Sequence, residues 1–270
     1  MMKSLLFAFC ATTSLVALDT KPWLGDVYAF SFESGFSYAH FPKVQGASTQ
    51  LRSPENSRNL VADVGLTTSP NWDVQLEGEF GQANSINWAL RSGAMQIRFL
   101  FLNDVVGDLC SFICGVSVRG ASSHFLKSVS TPYAAECNIE LSSALGKEWS
   151  LGPNWTARTY GFLAVGQANR GSPWIRPLLV AEYNLLNQHR FTLFSNADVG
   201  FGGKQGVDVD HFHGWSPFQH QSVDLGVSYG CELGVYGRLT ASYARRLFAH
   251  NFPERMNLFT LSYFLPFSLF

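Results

Sequence analysis

The sequence predicts an all-β protein, a closed antiparallel transmembrane β-barrel of about twelve strands with long loops at one end and shorter turns at the other. Three observations lead there. Apolar and polar residues alternate with period two along most of the chain. Aromatic residues make up 14% and charged residues only 14%, where a soluble domain carries roughly 25% charged residues. Beyond the first residues, no apolar run approaches the ~18 residues of a membrane helix.

The backbone connects these observations. In hydrocarbon every N–H and C=O must pair inside the protein, which leaves helices and closed sheets. A closed sheet turns one face to lipid and the other to its lumen, so its strands read greasy-out and polar-in. In VYAFSFESGFSYAHF (27–41), Tyr28, Phe30, Phe32, Phe36 and Tyr38 share one parity, and Ala29, Ser31, Glu33, Gly35, Ser37 and Ala39 hold the other. In NWDVQLEGEFGQ, Trp72, Val74, Leu76 and Phe80 oppose Asp73, Gln75, Glu77 and Glu79. MQIRFLF sets Met95, Ile97, Phe99 and Phe101 against Gln96 and Arg98. SFICGVSVRG and AECNIELSSAL repeat the pattern, and Asp198 and Asp224 lie on the polar side of two later strands.

The expected strands are 27–41, 59–69, 71–83, 93–104, 110–120, 134–146, 155–167, 174–185, 189–201, 222–230, 233–246 and 256–269. Arg158, Arg176 and Pro177 blur the faces of 155–167 and 174–185. The links 42–58, 84–92, 121–133, 168–173, 202–221 and 247–255 fall at one end and are mostly long. Those at the other end, such as Ser69-Pro70 and Leu186 to Gln188, are mostly short and would be the periplasmic set. Tyr28, Phe41, Trp72, Trp155, Trp174 and Tyr243, near strand ends, suit interfacial girdles. A water-soluble β-sandwich also alternates, but the strand lengths and the low charge disfavour it.

The start, MMKSLLFAFCATTSLVALDT, has the form of a secretory signal peptide cut after Ala17. Residues 1–17 are therefore expected to be removed, leaving 18–270 as a single barrel domain. Export implies an oxidising compartment for Cys110, Cys114, Cys137 and Cys231, and their pairing stays open. Cys110 and Cys114 share the greasy parity of Phe112, Val116 and Val118, a poor setting for zinc. A formal net charge of -1 gives no basis for binding nucleic acid.

The inward parity supplies the lumen-lining candidates: Asp63, Asp73, Glu77, Glu79, Glu136, Glu140, Asp198 and Asp224, with Arg98, Arg119, Arg190 and Arg238. Charges there must meet water or one another. The acidic excess suggests a mild preference for cations or neutral solutes. In the loop 201–220, Asp208, Asp210, His211, His213 and His220 could in principle ligate zinc or nickel. The favoured reading is a solvated loop anchored by Trp215 and Phe218, with no metal and no cofactor. Ser122-Ser123-His124 is the nearest approach to a nucleophile–base pair, in a loop.

The final segment, MNLFTLSYFLPFSLF, resembles the closing strand of Gram-negative outer-membrane β-barrel proteins, which end in phenylalanine after alternating apolar residues. Phe259, Leu261, Tyr263, Leu265, Phe267 and Leu269 alternate, while the terminal Phe270 falls on the opposite parity with Pro266 and Ser268. The sequence is also somewhat similar to small outer-membrane barrels of chlamydiae. The resemblance implies residence among outer-membrane lipids, periplasmic chaperone escort and insertion by the barrel-assembly machinery. Family members serve as pores, channels, enzymes, adhesins or secretion channels. The expectation is a porin-like channel for small solutes. The alternatives are a non-conducting structural or adhesive barrel, and a lipid-modifying or proteolytic enzyme. A self-exporting translocator is disfavoured, because only Leu18 to Asp26 precede the first strand.

Overall fold

The computed structural model of the protein describes residues 18–150, 152 and 154–268. The leader expected at 1–17 and the terminal Leu269 and Phe270 lie outside the described residues. The barrel strands are β1 (Ala29–Phe41), β2 (Glu55–Ser69), β3 (Trp72–Ala83), β4 (Ile86–Leu102), β5 (Ser111–Ala121) and β6 (Cys137–Ser150). They continue as β7 (Trp155–Ala168), β8 (Trp174–Leu185), β9 (His189–Gly200), β10 (Gln221–Glu232), β11 (Arg238–His250) and β12 (Asn257–Ser268). Each pairs antiparallel with its neighbours, and β1 closes on β12 in a register running from Ala29↔Ser268 to His40↔Asn257. Closure removes the exposed edge that an open sheet would present.

The parity read from sequence becomes two surfaces. Phe36, Leu76, Met95, Val116, Leu141, Leu193 and Phe259 face outward and are exposed. Neighbouring rings on that face meet, Trp72 with Phe99 at 4.7 Å and Tyr243 with Phe259 at 4.8 Å between centroids. Such pairs add roughly 0.5–1.5 kcal/mol beyond area burial. Two of the expected girdle aromatics do not belong there. Phe41 and Trp174 are buried, because each continues the inward parity of its strand: Ser37 and Ala39 on β1, Arg176 on β8. Parity outweighs proximity to a strand end.

Several boundaries also move. The expected link 84–92 shrinks to a turn between Ala83 and Ile86, because β4 continues to Ile86 through a bulge. β6 runs on to Ser150, which shortens the link that the sequence made long. β11 starts at Arg238, not near 233, since Gly234–Tyr236 form a 3-10 turn. Gly234 and Gly237 there adopt φ of 66° and 86°, where a Cβ is strained. All four described cysteines are free thiols.

The long links fold over the loop end. Residues 43–44 pair with 253–254. The Val207 N–H donates to Gly46 O (3.1 Å), and Gln45 N–H to Phe252 O (2.9 Å). Phe41, Val44, Val129, Val207, Phe212, Trp215, Phe218 and Phe252 form one buried cluster. Trp215 is its centre: it packs on Phe252 at 4.3 Å and donates its indole N–H to Thr131 O at 2.7 Å. In the 201–220 loop, Val207, Phe212, Trp215 and Phe218 are buried in this cluster, while Lys204, Asp210, His211 and His213 are exposed.

Candidate functional site

The inner wall carries two sets of contacts. Nearest the turn end, residues Leu18 to Leu24 run inside the barrel. The Leu18 N–H donates to Glu77 Oε2 (3.2 Å) and the Asp19 N–H to Gln75 Oε1 (2.8 Å). The Arg98 Nη1 donates to the carbonyls of Asp19 (3.1 Å) and Lys21 (3.0 Å), while its Nε donates to Asp73 Oδ1 (3.0 Å). Trp23 donates to Asp104 Oδ1 (2.8 Å) and meets Tyr160 edge-on. Leu24 packs against the buried cluster of Leu100, Ile113, Ala144, Phe162 and Ala164. This inner strap covers the inner faces of β3 to β7. Burial pushes the Asp104 carboxyl up, but the Ser111 hydroxyl, the Glu148 N–H and the Trp23 indole outweigh it and leave it below its ordinary value. A lowered folded-state value stabilises above the unfolded carboxylate value and is lost as pH falls through the folded one. Thermal stability should therefore fall in acid more for the natural protein than for Asp104→Asn; parallel pH profiles would remove this anchor.

The second set consists of buried ion pairs. Glu79 accepts from Arg91 Nη1 (3.0 Å), Ser92 Oγ (3.0 Å) and Tyr133 Oη. Arg119 pairs with Glu77 and donates to Ser92 Oγ at 2.8 Å. Glu140 accepts from Arg176 (2.6 Å) and from the Trp174 indole (2.9 Å). Asp224 holds Arg246 through Nε at 2.7 Å and Nη2 at 3.2 Å. Arg190 and Arg238 share Glu232 at 3.2 Å each. Asp198 lies 3.4 Å from His220 Nε2. Asp63 is buried beside Glu33 and Glu77 in the cross-strand register and makes no ion pair among the described residues.

Of the twelve lumen candidates, one lies off the barrel strands. Glu136 sits in the loop before β6, exposed, and pairs with the equally exposed Arg170 at 3.4 Å. The outer-loop residues separate. Asp208 accepts from His211 Nδ1 (3.0 Å) and from the Asp210 N–H (3.1 Å), and His213 faces outward beyond the buried Phe212. The hydrogen bond from His211 is the largest influence on the Asp208 carboxyl and draws it below its usual value. Among the described residues no three His, Cys, Asp or Glu side chains converge as a metal site. No serine hydroxyl is hydrogen-bonded to a histidine ring among them either.

Sequence reasoning missed Arg91 and Arg246. Both sit at bulges, where one extra residue re-aims its neighbours. At Glu79/Phe80 the register skips Arg91, so Arg91 and Ser92 both turn inward. At Val223/Asp224 it skips Leu247, which brings Arg246 onto Asp224. The signal was present as a break in alternation at Leu90-Arg91-Ser92 and at Arg246-Leu247-Phe248.

The space left over is uneven. Under the loop seal, a cavity of about 50 Å³ is lined by Leu18, Arg119, Glu140, Trp174, Asp198 and His220, enough for a few waters. Along β9 to β12 and β1 the inner wall is partly accessible instead, and carries Glu33, Ser31, Thr192, Ser228, Thr240, Ser242, Thr260 and Ser262.

No family model matches the sequence, and no curated protein matches it either. Solved structures do match. An outer-membrane channel from Pseudomonas putida F1 superposes with a TM-score of 0.66 over 92% of this chain and 99% of that one, at 12% identity. The fold is that of an outer-membrane barrel. The NanC porin superposes at 0.51 over 87% of this chain and 98% of that one, at 8% identity. At these identities the likeness concerns the fold alone.

Proposed function

We propose that the protein is a porin-like outer-membrane channel for small polar solutes, held shut at its loop end in the conformation described. The accessible strip of hydroxyls and carboxylate along β9 to β12 and β1 carries this reading: a purely structural barrel has no need of a wetted wall behind a seal. Outer-membrane lipids, periplasmic chaperones and the barrel-assembly machinery are its expected partners. A second reading, a non-conducting barrel, is favoured by the buried aromatic seal around Trp215.

Refolded protein in a planar bilayer separates the two. The channel reading expects discrete conductance steps with a mild cation preference under a salt gradient, and a barrel without steps under any voltage would end it. The residue to substitute is Glu33, the water-accessible acid of the lumen. Glu77 and Glu79 are committed to arginines. Glu33→Lys should move the reversal potential toward anions, whereas an unchanged potential would take Glu33 off the path.

A further inference from the structure

We infer that Asp63 and Glu33 form a binding site for a primary ammonium group, the charged end of a small amine solute that enters the open side of the lumen. This site deepens the channel reading by naming a solute class. It rests on that reading only for water reaching the strip along β9 to β12 and β1.

The wall sets three carboxylates side by side. Glu33 of β1 is opposite Asp63 of β2, and Asp63 is opposite Glu77 of β3. Residues directly opposite bring their Cβ atoms within roughly 4.5–5.5 Å, where like charges destabilise the pair. Glu77 is compensated by Arg119 and the Leu18 N–H. Asp63 is 5% exposed, makes no ion pair among the described residues, and its Oδ2 is buried with no hydrogen-bond partner. Arg98 is within electrostatic reach, but it is spent on Asp73 and Asp19, and Asp19 adds another negative charge near Asp63. A buried carboxylate without a counter-charge is among the costliest groups a fold can keep. A bound cation removes that cost.

The surroundings select the kind of cation. Glu33 is partly accessible, as are Ser31 and Ser262 beside it on the strip. A Cβ added at Gly35, next to Glu33 on the inward parity, meets nothing closer than 3.5 Å, so the wall leaves room there. At Gly65, next to Asp63, the Ser31 hydroxyl takes the space that a Cβ would fill. Two carboxylates and a hydroxyl therefore meet at this place, a match for the three N–H donors of an alkylammonium. Charge-assisted hydrogen bonds of this kind are roughly twice as strong as neutral ones. A calcium ion asks for about six to eight oxygen ligands, and no three His, Cys, Asp or Glu side chains gather as a metal site among the described residues.

The test is calorimetric titration of the detergent-solubilised barrel with ethylammonium chloride. Tetramethylammonium chloride at the same ionic strength is the comparison, since it carries the charge without an N–H. Ethylammonium should bind roughly tenfold or more tightly than tetramethylammonium, the scale of one charge-assisted hydrogen bond. Asp63→Asn and Glu33→Gln should each weaken it by a similar factor. Asp63→Asn removes a buried charge and keeps the side-chain shape, so the variant should fold; if it does not, Glu33→Gln at its accessible position still decides. No binding, equal binding of the two cations, or unchanged affinity in a folded variant overturns the site. Binding is read without current. A conducting barrel that binds no ethylammonium loses this site alone, and a binding barrel that does not conduct loses the channel reading alone.

Discussion

Trp215→Ala is expected to destabilise the barrel by about 3–5 kcal/mol, the cost typical of truncating a fully buried large aromatic. Trp215 is 1% exposed and touches Phe212, Phe218 and Phe252, which belong to two different links. Its indole also holds Thr131 of a third link. Removing it takes away the common wall of these three segments and leaves the Thr131 carbonyl without that donor. The same change should affect transport: bilayer recordings of the variant should show larger and longer openings than the natural protein. Unfolding and conductance are expected to respond together because one cluster serves both. A variant with near-native stability and unchanged conductance would mean that the loops seal without Trp215.

Arg98→Leu is the second large effect. The guanidinium is 4% exposed and joins Asp73 of β3 to the strap through Asp19 and two carbonyls. Breaking a buried pair by removing one partner typically costs about 3–5 kcal/mol, because the remaining charge stays buried. The arginine, not the leucine, should therefore be the determinant of refolding yield and of the unfolding midpoint in denaturant. The sharper expectation concerns the double variant Asp73→Asn/Arg98→Leu, which no longer buries a lone carboxylate. It should recover a large part of the loss, a coupling that a double-mutant cycle measures. Strictly additive losses would show that the two residues act separately.

The fold was legible because the physics of a closed sheet in lipid leaves a period-two record. Phe36, Leu76, Val116 and Phe259 announced the outer face, and Asp73, Glu77 and Arg98 the inner one. What alternation could not show is where it is interrupted. The bulge at Arg91 adds an inward residue out of step, so the arginine that neutralises Glu79 was hidden in an expected link, whereas Arg246 shares the inward parity of Arg238 and was passed over at the end of its expected strand. The seal was equally hidden. Phe41 and Trp174 read as girdle aromatics by position, although both continue the inward parity of their strands. The strap had no periodic signature, since Leu18 to Asp26 is held by single hydrogen bonds to a wall built later in the sequence. Glu136 failed for a simpler reason: β6 begins at Cys137, so its parity is that of a loop.

The central claim is that lipid covers the aromatic parity. Nitroxide labels placed singly at residues 94, 95, 96 and 97 of β4, with Cys110, Cys114, Cys137 and Cys231 replaced by serine, test it directly in bilayers. Oxygen dissolved in the hydrocarbon should relax the labels at Met95 and Ile97 strongly and those at Ala94 and Gln96 weakly, matching the alternation of exposed and buried positions. Labels at 95 and 97 that are immobile and shielded from oxygen, as inside a second protein layer, would contradict the membrane placement.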